Sequence, residues 1–388
     1  MSVTVRQDWK RLPLRRLAVC RDDLREPVNA TQRANMQGEV PYWGANAIQD
    51  YVNRAKVSRP VVLVGEDGAP FYDRDKPVAF YVDEPIWPNN HIHVLFPNPG
   101  IDGRWLAYAL NAVDYSTVIT GATRDKLTQG AMKSILLSVP SPDEQRAIAD
   151  HLDHETAQID MLVAKQQEFI GLLRERRDTI VDAEFQRTDG KRTATVRQTL
   201  VPLRRTPIPR SGVVTAYRDG VVTLRANRRA EGYTMSVAEA GYQGVCPGDI
   251  VFHALDGFAG AVGISDSEGQ CSPVYHVCSP RYDDDARYLA LLIRYMGTSG
   301  FLSTQAPSTR QRSVDFRNWK TFARVPLMLP PVEHQKLFVT EYHEQTSRIN
   351  ALIVKAEEHI GLAKERRSAL ITATVTGQIN VRTARKAS

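Results

Sequence analysis

Several clusters of arginine, lysine, asparagine and glutamine carry the chemistry needed to contact a nucleic acid. Arginine, asparagine and glutamine can form paired hydrogen bonds with purine edges, and arginine and lysine also neutralise phosphate. Any single residue of these clusters fits an ordinary surface position equally well, so the hypothesis rests on the clusters. The candidate contacts are Tyr42, Trp43, Asn46, Arg124 and Lys126 in the first half, and Arg225, Asn227, Arg228, Arg229, His253, Arg310, Gln311, Arg312 and Lys320 in the second.

Histidines and cysteines occur in two groups that could bind a metal. His91 and His93 alternate along a strand-like run, but no third ligand is suggested nearby, so hydrogen-bonded strand histidines are favoured. Cys246, Cys271 and Cys278 share a segment with two histidines, yet no Cys-x2-Cys pair is present. Buried thiols are therefore favoured over zinc, and we expect no metal site.

The motifs of common nucleotide-dependent and metal-dependent enzymes are missing from the sequence. It contains no phosphate loop of the Gly-x4-Gly-Lys-Ser/Thr type, no Gly-x-Gly-x-x-Gly turn and no His-Glu-x-x-His helix. The Asn/Asp-Pro-Pro-Tyr/Phe box of adenine methyltransferases is missing as well. We expect a protein without catalytic residues of its own.

Length and charge set broad limits on the class of protein. At 388 residues the chain exceeds the usual limit for one hydrophobic core, which predicts two or more domains. The net charge of +6 favours a polyanionic partner only weakly. Four scattered cysteines suit a reducing compartment, and the N-terminal residues lack the apolar region of a signal peptide. We expect a cytoplasmic protein without a membrane span.

The chain repeats one plan with an offset of 190 residues. "IGLLRERRDTIV" begins at Ile170 and "IGLAKERRSALI" at Ile360, and the preceding Pro140 and Pro330 are separated by the same interval. Repeats at a fixed offset indicate duplicated structural units. Further identities at this offset are Gln145/Gln335, Thr156/Thr346, Ile159/Ile349, Leu162/Leu352, Lys165/Lys355, Glu168/Glu358 and Glu-Arg-Arg at 175–177 and 365–367.

Both repeated segments have apolar residues at helical spacing. In the first copy these residues are Ile148, Leu152, Ile159, Leu162, Phe169, Leu173 and Ile180. Ser141-Pro142-Asp143-Glu144 is typical of a helix start, and Gly190 lies beyond the end; the second copy lacks the Ser-x-x-Glu box.

The apolar stripe of each helix predicts burial against the other copy, although packing of each helix on its own domain also fits the pattern. The repeated arginines fit a solvated or salt-bridged patch, or a docking surface for another subunit. The residues assigned to the helix pair or to docking are Ile159, Leu162, Phe169, Leu173, Arg176, Arg177, Ile349, Leu352, Ile360, Arg366 and Arg367.

The segments between the helices differ in character from the helices themselves. They contain short β-like runs such as "VVLVG", "GVVTL" and "DIVFHAL", turn signals, and one helix-like patch each, "RWLAYALNAV" and "RYLALLIRYM". The predicted fold class is α+β: two α/β domains separated by two long helices, with an internal repeat. The expected ranges are domain 1 at 1–136, helical spacer 1 at 137–190, domain 2 at 191–325, helical spacer 2 at 326–380 and a basic tail at 381–388.

These sequences resemble the DNA-specificity subunits of type I restriction-modification enzymes. The resemblance covers nearly the whole chain and includes "PYWGANAI", "TGATRDKLTQGAMKSILLSVPSPDEQRAIADHL", the repeated "ERR" and "AYRDGVVTLRANRRAEGYT". Its most specific element is Pro-x-Pro-x-Glu-Gln before the first long helix. The second copy departs from this pattern with Pro330-Pro331 and His334-Gln335.

The resemblance implies a non-catalytic subunit with two target-recognition domains, each contacting one half of a split, asymmetric DNA sequence. It implies that the long helices form an antiparallel coiled coil with a pseudo-twofold relation, which sets the gap between the half-sites and docks two methyltransferase subunits. Motor-nuclease restriction subunits would join for cleavage. The chain itself would bind no cofactor, because its partners use S-adenosylmethionine, Mg and ATP. The alternatives are a specificity factor of another DNA-modification defence system, a free-standing nuclease, or a structural coiled-coil adaptor.

Overall fold

The computed structural model describes residues 8–119, 125–207, 211–228, 241–305 and 315–381. The chain divides into two compact units. Unit 1 contains Met1–Phe169 together with Lys355–Ser388, and unit 2 contains Ile170–Val354. Each unit therefore includes one end of each long helix, whereas the sequence suggested separate recognition and helical ranges. Those ranges stay a prediction.

Unit 1 is built on a four-stranded antiparallel sheet in the order β2-β8-β5-β6, with a three-stranded sheet β4-β3-β7 and a pair β1-β9 beside it. Its helices are α1 (Ala30–Ala34), α2 (Gly103–Asn111), α3 (Gln129–Ser134), the first part of α4 (Pro142–Gln186) and the last part of α9 (Val332–Val375). Its strands are β1 (Lys10–Pro13), β2 (Ala18–Cys20), β3 (Gln37–Trp43), β4 (Ile48–Val52), β5 (Val61–Gly65), β6 (Ala79–Val82), β7 (Trp87–Pro88), β8 (Ile92–Pro97) and β9 (Leu136–Val139).

Strand β5 is apolar throughout because both faces of the sheet are covered. Val62 and Val64 pack in the cluster that contains Trp105 and Leu110 of α2. Val61 and Leu63, which point the other way, pack in a separate cluster. Alternating residues of one strand thus contribute to two cores, which explains the continuous apolar run.

Unit 2 repeats this plan with the strand order β11-β18-β15-β16. Its helices are the last part of α4, α5 (Val196–Thr199), α6 (Ala286–Thr298), α7 (Phe301–Gln305), α8 (Trp319–Phe322) and the first part of α9. Its strands are β10 (Arg192–Thr195), β11 (Leu200–Pro202), β12 (Val214–Ala216), β13 (Val222–Leu224), β14 (Gln243–Val245), β15 (Ile250–His253), β16 (Val262–Ile264), β17 (Gly269–Cys271), β18 (Tyr275–Pro280) and β19 (Pro326–Leu329).

The two units share a central framework and differ in their outer strands. Helix α6 corresponds to α2, and the pair β10-β19 corresponds to β1-β9. In place of the three-stranded sheet β4-β3-β7, unit 2 has the two separate pairs β12-β13 and β14-β17. The internal repeat expected from the sequence is therefore present in the fold, and the divergence lies in the outer sheets.

The long helices run antiparallel within each unit. In unit 1, Ile148 and Leu152 near the start of α4 share a core with Ile371 and Val375 near the end of α9. In unit 2, the ring of Phe185 near the end of α4 lies 5.9 Å from that of Phe338 near the start of α9. The predicted start of α4 is confirmed, because the Ser141 hydroxyl accepts a hydrogen bond from the amide of Glu144 at 3.3 Å.

The less exposed residues of each long helix recur at alternating intervals of three and four positions, and we call this row of residues the seam. From 156 to 180 every α4 residue off this seam is exposed, and the α9 seam is the α4 seam shifted by 190 residues. Such spacing is the heptad pattern of a coiled coil. The seam residues are Thr156, Ile159, Val163, Gln166, Ile170, Leu173, Arg177, Ile180 and Glu184 in α4, and Thr346, Ile349, Ile353, Ala356, Ile360, Ala363, Arg367, Leu370 and Thr374 in α9.

Three residues predicted for the buried stripe lie outside this seam. Leu162, Phe169 and Leu352 are exposed by 49%, 42% and 44%. Their assignment to the buried face was wrong because the stripe was chosen by apolarity alone, whereas the seam includes threonine, glutamine, arginine and glutamate. Ile159, Leu173, Ile349 and Ile360 lie within the seam.

A buried glutamine at the start of each long helix joins it to the adjacent domain helix. The Gln145 side chain donates to the Pro140 carbonyl at 3.0 Å and accepts from the Asp102 amide at 2.9 Å. Gln335 donates to the Pro330 carbonyl at 3.0 Å and accepts from the Asp285 amide at 2.9 Å. The identity at this offset is visible in the sequence, but the role of the glutamine in linking two helix starts is not.

Replacement of Gln335 by leucine is expected to destabilise unit 2 by about 1–3 kcal/mol, because the part-buried Asp285 amide and the carbonyl of the buried Pro330 would lose their partner. Urea unfolding of the two proteins measures this difference. The neighbouring exposed Glu333→Gln should change stability by less than about 0.5 kcal/mol. Equal midpoints for Gln335→Leu and Glu333→Gln would contradict the assigned role.

Candidate nucleic-acid interface

The hairpin of β12 and β13 forms one wall of the candidate interface in unit 2. Its strands pair through Val214 with Leu224 and Ala216 with Val222. Val214, Ala216 and Val222 are buried in a cluster that also contains residues of β15 and β18. The hairpin is therefore fixed on the sheet by its inner face.

Two glycines determine how closely the hairpin turn approaches the sheet. Gly220, with φ of +89°, adopts the left-handed conformation that favours glycine. A Cβ atom on Gly263 of β16 would lie 2.0 Å from the Gly220 carbonyl oxygen. The turn consequently rests directly on the backbone of the edge strand.

A cavity of about 640 Å³ beside this hairpin brings together three of the predicted contact residues, Arg225, Arg228 and His253. Arg225 and Arg228 follow β13, whereas His253 ends β15. Arg218 and Tyr217 from the turn complete this side of the cavity. The cavity thus collects cationic and hydrogen-bonding groups that are distant in sequence.

Two arginines of the cavity, Arg218 and Arg228, pair with partly exposed carboxylates. Arg228 pairs with Asp219, and its guanidinium lies 4.7 Å from the centre of the Tyr217 ring. Arg218 pairs with Asp256 at 2.9 Å. Exposed ion pairs contribute little stability, so a phosphate group can replace either carboxylate at small cost.

His253 is positioned as a neutral hydrogen-bond donor. Its Nδ1 accepts hydrogen bonds from the amides of Leu255 at 3.2 Å and Asp256 at 3.0 Å. Burial lowers the pKa of His253, which favours the neutral ring at pH 7. The proton is therefore on Nε2, and this nitrogen can donate to a base edge or a phosphate oxygen.

Other predicted residues of unit 2 lie elsewhere or make local contacts. Asn227 is exposed and donates to the Thr223 hydroxyl at 2.9 Å. Lys320 is exposed in the first turn of α8, where Asn318 caps its amide, and it does not line the cavity. Five predicted contacts fall outside the described residues: Arg124, Arg229, Arg310, Gln311 and Arg312.

Two predicted contacts in unit 1 were wrong because their side chains are in the core. Tyr42 is 2% exposed, and its hydroxyl accepts from the Val28 amide at 3.0 Å. Trp43 is buried with its ring centre 5.1 Å from that of Phe80. Asn46 is exposed in the following turn, and the exposed Lys126 pairs with Glu66 at 3.0 Å.

The repeated arginines of the helices occupy two kinds of position. Arg176 and Arg366 are exposed, whereas Arg177 and Arg367 are half-buried in the seam. Arg367 pairs with Asp160 at 3.0 Å. The residue matching Asp160 in the other copy is Asn350, so the repeat does not provide Arg177 with an equivalent carboxylate.

The two strand histidines are hydrogen-bonded, as the sequence suggested. His91 pairs with Asp67, and His93 contacts Asp22 through Nδ1 at 2.7 Å and the Leu127 carbonyl through Nε2 at 2.8 Å. Both partners of His93 are acceptors, so both ring nitrogens carry protons. Although burial opposes the charge, these contacts raise the pKa of His93 to about 9.

One group of described side chains has the geometry of a possible metal site. Cys20, Asp22 and His93 bring three potential ligand atoms within 4.8 Å of one another. Both nitrogens of His93 are already engaged with oxygen acceptors, so a metal would have to displace one of them. In the second half, Cys271 and Cys278 are buried, and burial raises the pKa of both thiols, that of Cys271 to about 12.

Comparisons with known proteins show what the sequence and the fold of this chain are similar to. The family described as "Type I restriction modification DNA specificity domain" matches residues 25–169. A putative type I restriction enzyme specificity subunit from Haemophilus influenzae is 32% identical over 150 residues, which cover 39% of this chain and 37% of the relative. That match spans little more than a third of the relative's length.

Two solved structures share the fold along almost the whole chain. One, from work on complex assembly and conformational transition of the type I restriction-modification system, has a TM-score of 0.69 at 13% identity and covers 97% of this chain and 100% of its own. The HsdS subunit from Thermoanaerobacter tengcongensis has a TM-score of 0.53 at 14% identity and covers 97% and 99%.

Residues 25–169, which match the DNA-specificity family, lie in unit 1, and unit 2 repeats the central strand order of unit 1. The chain is therefore similar, in part of its sequence and in its fold, to the specificity subunits of type I restriction-modification enzymes. These likenesses do not favour the alternatives of a free-standing nuclease or another defence system. Among the described residues, no helix has the length and apolar character needed to cross a membrane.

Proposed function

We propose that this chain selects the DNA sequence on which a type I restriction-modification complex acts. Each unit would contact one half of a bipartite, asymmetric target. The proposal rests on one observation: the two units share a central sheet but differ in their outer sheets. Because similar frameworks present different surfaces, the two half-sites should differ. A symmetric dimer, by contrast, would present two equal surfaces and recognise a palindrome.

In unit 2 the contacts would come from the cavity beside the β12-β13 hairpin. Arg225 and Arg228 can pair with guanine edges or phosphates, and the Nε2 proton of His253 provides a neutral donor. The Tyr217 ring supports the Arg228 guanidinium from one side. These groups provide both charge neutralisation and directional hydrogen bonding within one surface.

The long helices would dock two methyltransferase subunits and, for cleavage, motor-nuclease subunits. Their exposed faces carry apolar side chains that the seam does not bury, and these fit a protein interface. Arg176 and Arg366 lie on the same exposed faces. The exposed apolar residues are Met161, Leu162, Phe169 and Leu362 in unit 1, and Leu172, Leu352 and Val354 in unit 2.

The chemistry would belong to these partners. In this proposal S-adenosylmethionine, Mg and ATP are used by the methyltransferase and motor-nuclease subunits, and this chain contributes only recognition and docking. Because its substrate is chromosomal or invading DNA, the complex would act in the cytoplasm.

Methylome sequencing of the host with and without the gene tests the proposed function. Deletion should abolish methylation at one bipartite motif, and the intact gene should restore it. Complementation with Arg225→Gln/Arg228→Gln should relax or abolish recognition in one half of that motif, because only unit 2 is altered. If deletion removes no bipartite motif, the proposal is wrong.

A further inference from the structure

Unit 2 contains a second cavity on the other side of the hairpin turn. It has a volume of about 410 Å³ and lies between α6, the edge strand β16, the turn and α9. Arg287 and Arg294 of α6, seven residues apart, line one wall, and Tyr342 and His343 of α9 line another. Asp219 borders both this cavity and the candidate interface, so the turn separates the two.

Among the described residues Arg294 makes no direct ion pair, although its charge opposes the effect of burial and contributes to lowering the pKa of the nearby Asp219. Its Nε is buried and has no hydrogen-bond acceptor. A Cβ atom on Gly220 would lie 2.7 Å from this nitrogen, so the guanidinium rests against the turn where only glycine leaves room. The nearby Asp219 is paired with Arg228. Burying part of a guanidinium without an acceptor is costly, which indicates that an external group completes the site.

The matching cavity in unit 1 serves as an internal comparison. Arg104 occupies the position of Arg287, 183 residues earlier, and lines a cavity of about 480 Å³. Its guanidinium pairs with Asp150 at 3.0 Å and Asp153 at 2.8 Å. Thr340 and His343 replace these two carboxylates in unit 2.

The second arginine is also specific to unit 2. Asn111 occupies the position of Arg294 in unit 1. Its side chain accepts from the amides of Val78 and Ala79 at 2.8 Å and donates to the Ala79 carbonyl at 2.8 Å. In unit 1 the side chain of Asn111 thus has hydrogen-bond partners within the unit. Unit 2 has an arginine at this position and lacks the two carboxylates that pair with Arg104 in unit 1.

A phosphate group fits this site better than a neutral ligand. The planar guanidinium of Arg294 presents several donors that match the oxygens of a phosphate. The second arginine, Arg287, is exposed and pairs with Asp285 at 3.1 Å, and an exposed pair of this kind can admit a phosphate at small cost. The cavity shares its hairpin turn with the surface that contains Arg225 and Arg228. In the proposed function, a DNA strand bound at that surface would bring its charged backbone close to the turn.

We propose that Arg294, assisted by Arg287, binds one phosphate of the DNA backbone and so fixes the position of unit 2 on its half-site. This inference rests on the proposed function. The contact is independent of sequence: it positions the unit, and the neighbouring cavity discriminates between bases.

The test uses the complex reconstituted with its methyltransferase subunits and measures DNA affinity over a range of salt concentrations. Arg294→Gln should weaken binding to all sequences alike and make the slope of log K against log salt shallower by about 0.9, the value for one lost phosphate contact. Arg294→Lys should retain most of the slope, because the charge remains. The methylated motif should be unchanged.

Arg104→Gln is the matched control, because its guanidinium is neutralised by carboxylates of its own unit, and its slope should equal that of the wild type. A scan of neutral methylphosphonate substitutions gives a second measurement on correctly folded protein. One substituted phosphate should weaken binding by the wild type and have no further effect on Arg294→Gln.

An unchanged slope for Arg294→Gln would overturn the proposal, and so would methylphosphonate effects equal in both proteins. Weaker assembly with the methyltransferase subunits at an unchanged slope would show that the site binds a protein carboxylate instead. If the wild-type complex itself selects no bipartite sequence, the proposed function fails, and the salt slope measured on arbitrary DNA still decides whether Arg294 contacts phosphate.

Discussion

Replacement of Glu184 by alanine is expected to destabilise unit 2 by about 3–5 kcal/mol, because it would leave a buried lysine without its counter-ion. Glu184 is 6% exposed and accepts from the Tyr288 hydroxyl at 2.6 Å. Its carboxylate also lies 3.0 Å from Nε2 of His334 and 3.6 Å from Nζ of the buried Lys191. Burial alone would raise the pKa of Glu184, but these partners lower it, so the carboxylate is charged at neutral pH. Urea unfolding at pH 7 measures the loss.

Two further variants show whether a loss of stability in Glu184→Ala comes from the unpaired buried charge or from any substitution in this region. Tyr288→Phe removes only one hydrogen bond to Glu184 and should cost about 1–2 kcal/mol. Glu175→Ala changes an exposed residue of the same helix and should alter stability by less than about 0.5 kcal/mol. A loss below about 1 kcal/mol for Glu184→Ala would show that the buried ion pair is unimportant for the stability of unit 2.

The stability of unit 1 is expected to fall as pH rises from about 6.5 to about 9, by roughly 3 kcal/mol. The folded pKa of His93 lies above its unfolded value, so its contribution is complete below the unfolded pKa and is lost as pH rises through the folded one. Asp22 keeps its charge throughout this range, because its partners lower its pKa further. Chemical denaturation between pH 6 and 9.5 measures the decline, and His93→Gln should remove most of it.

The matching histidine in unit 2 provides a control with the opposite sign. His276 contacts the Phe316 carbonyl through Nε2 at 2.7 Å, but its ring is stacked on Phe322. Burial lowers the pKa of His276, so its contribution is present above the unfolded pKa and is lost as pH falls below that value. His276→Gln should therefore leave the decline above pH 6.5 intact. Equal slopes above pH 6.5 for the wild type and His93→Gln would refute the assignment of a charged His93.

The fold was predictable where the sequence repeats or where periodicity is strong. The offset of 190 residues located both long helices, and apolar runs located β5 and β15. The seam was predicted only in part, because Gln166 and Arg177 occupy heptad positions that a search for apolar residues passes over. Which residues of such a helix are buried depends on the side that faces the partner helix, and residue type alone does not determine that side.

The candidate interface was predictable only as a set of chemically suitable residues. Tyr42 and Trp43 lie in a sequence that resembles a contact loop, but the strand they end carries them into the core. Arg228 and His253 share one cavity because β15 lies under the hairpin, a proximity that the 24 intervening positions conceal. Arg294 belongs to no motif and became a candidate only through the comparison of the two units.

The contact between Gly220 and Gly263 has a practical consequence for engineering new DNA specificities. Any side chain at Gly263 would lift the hairpin turn from the edge strand and shift every group that the hairpin carries. Libraries that diversify Arg225, Arg228 and His253 should therefore keep both glycines constant. Sequence variation would then be limited to side chains on a fixed backbone, and a changed DNA preference could be attributed to individual substitutions.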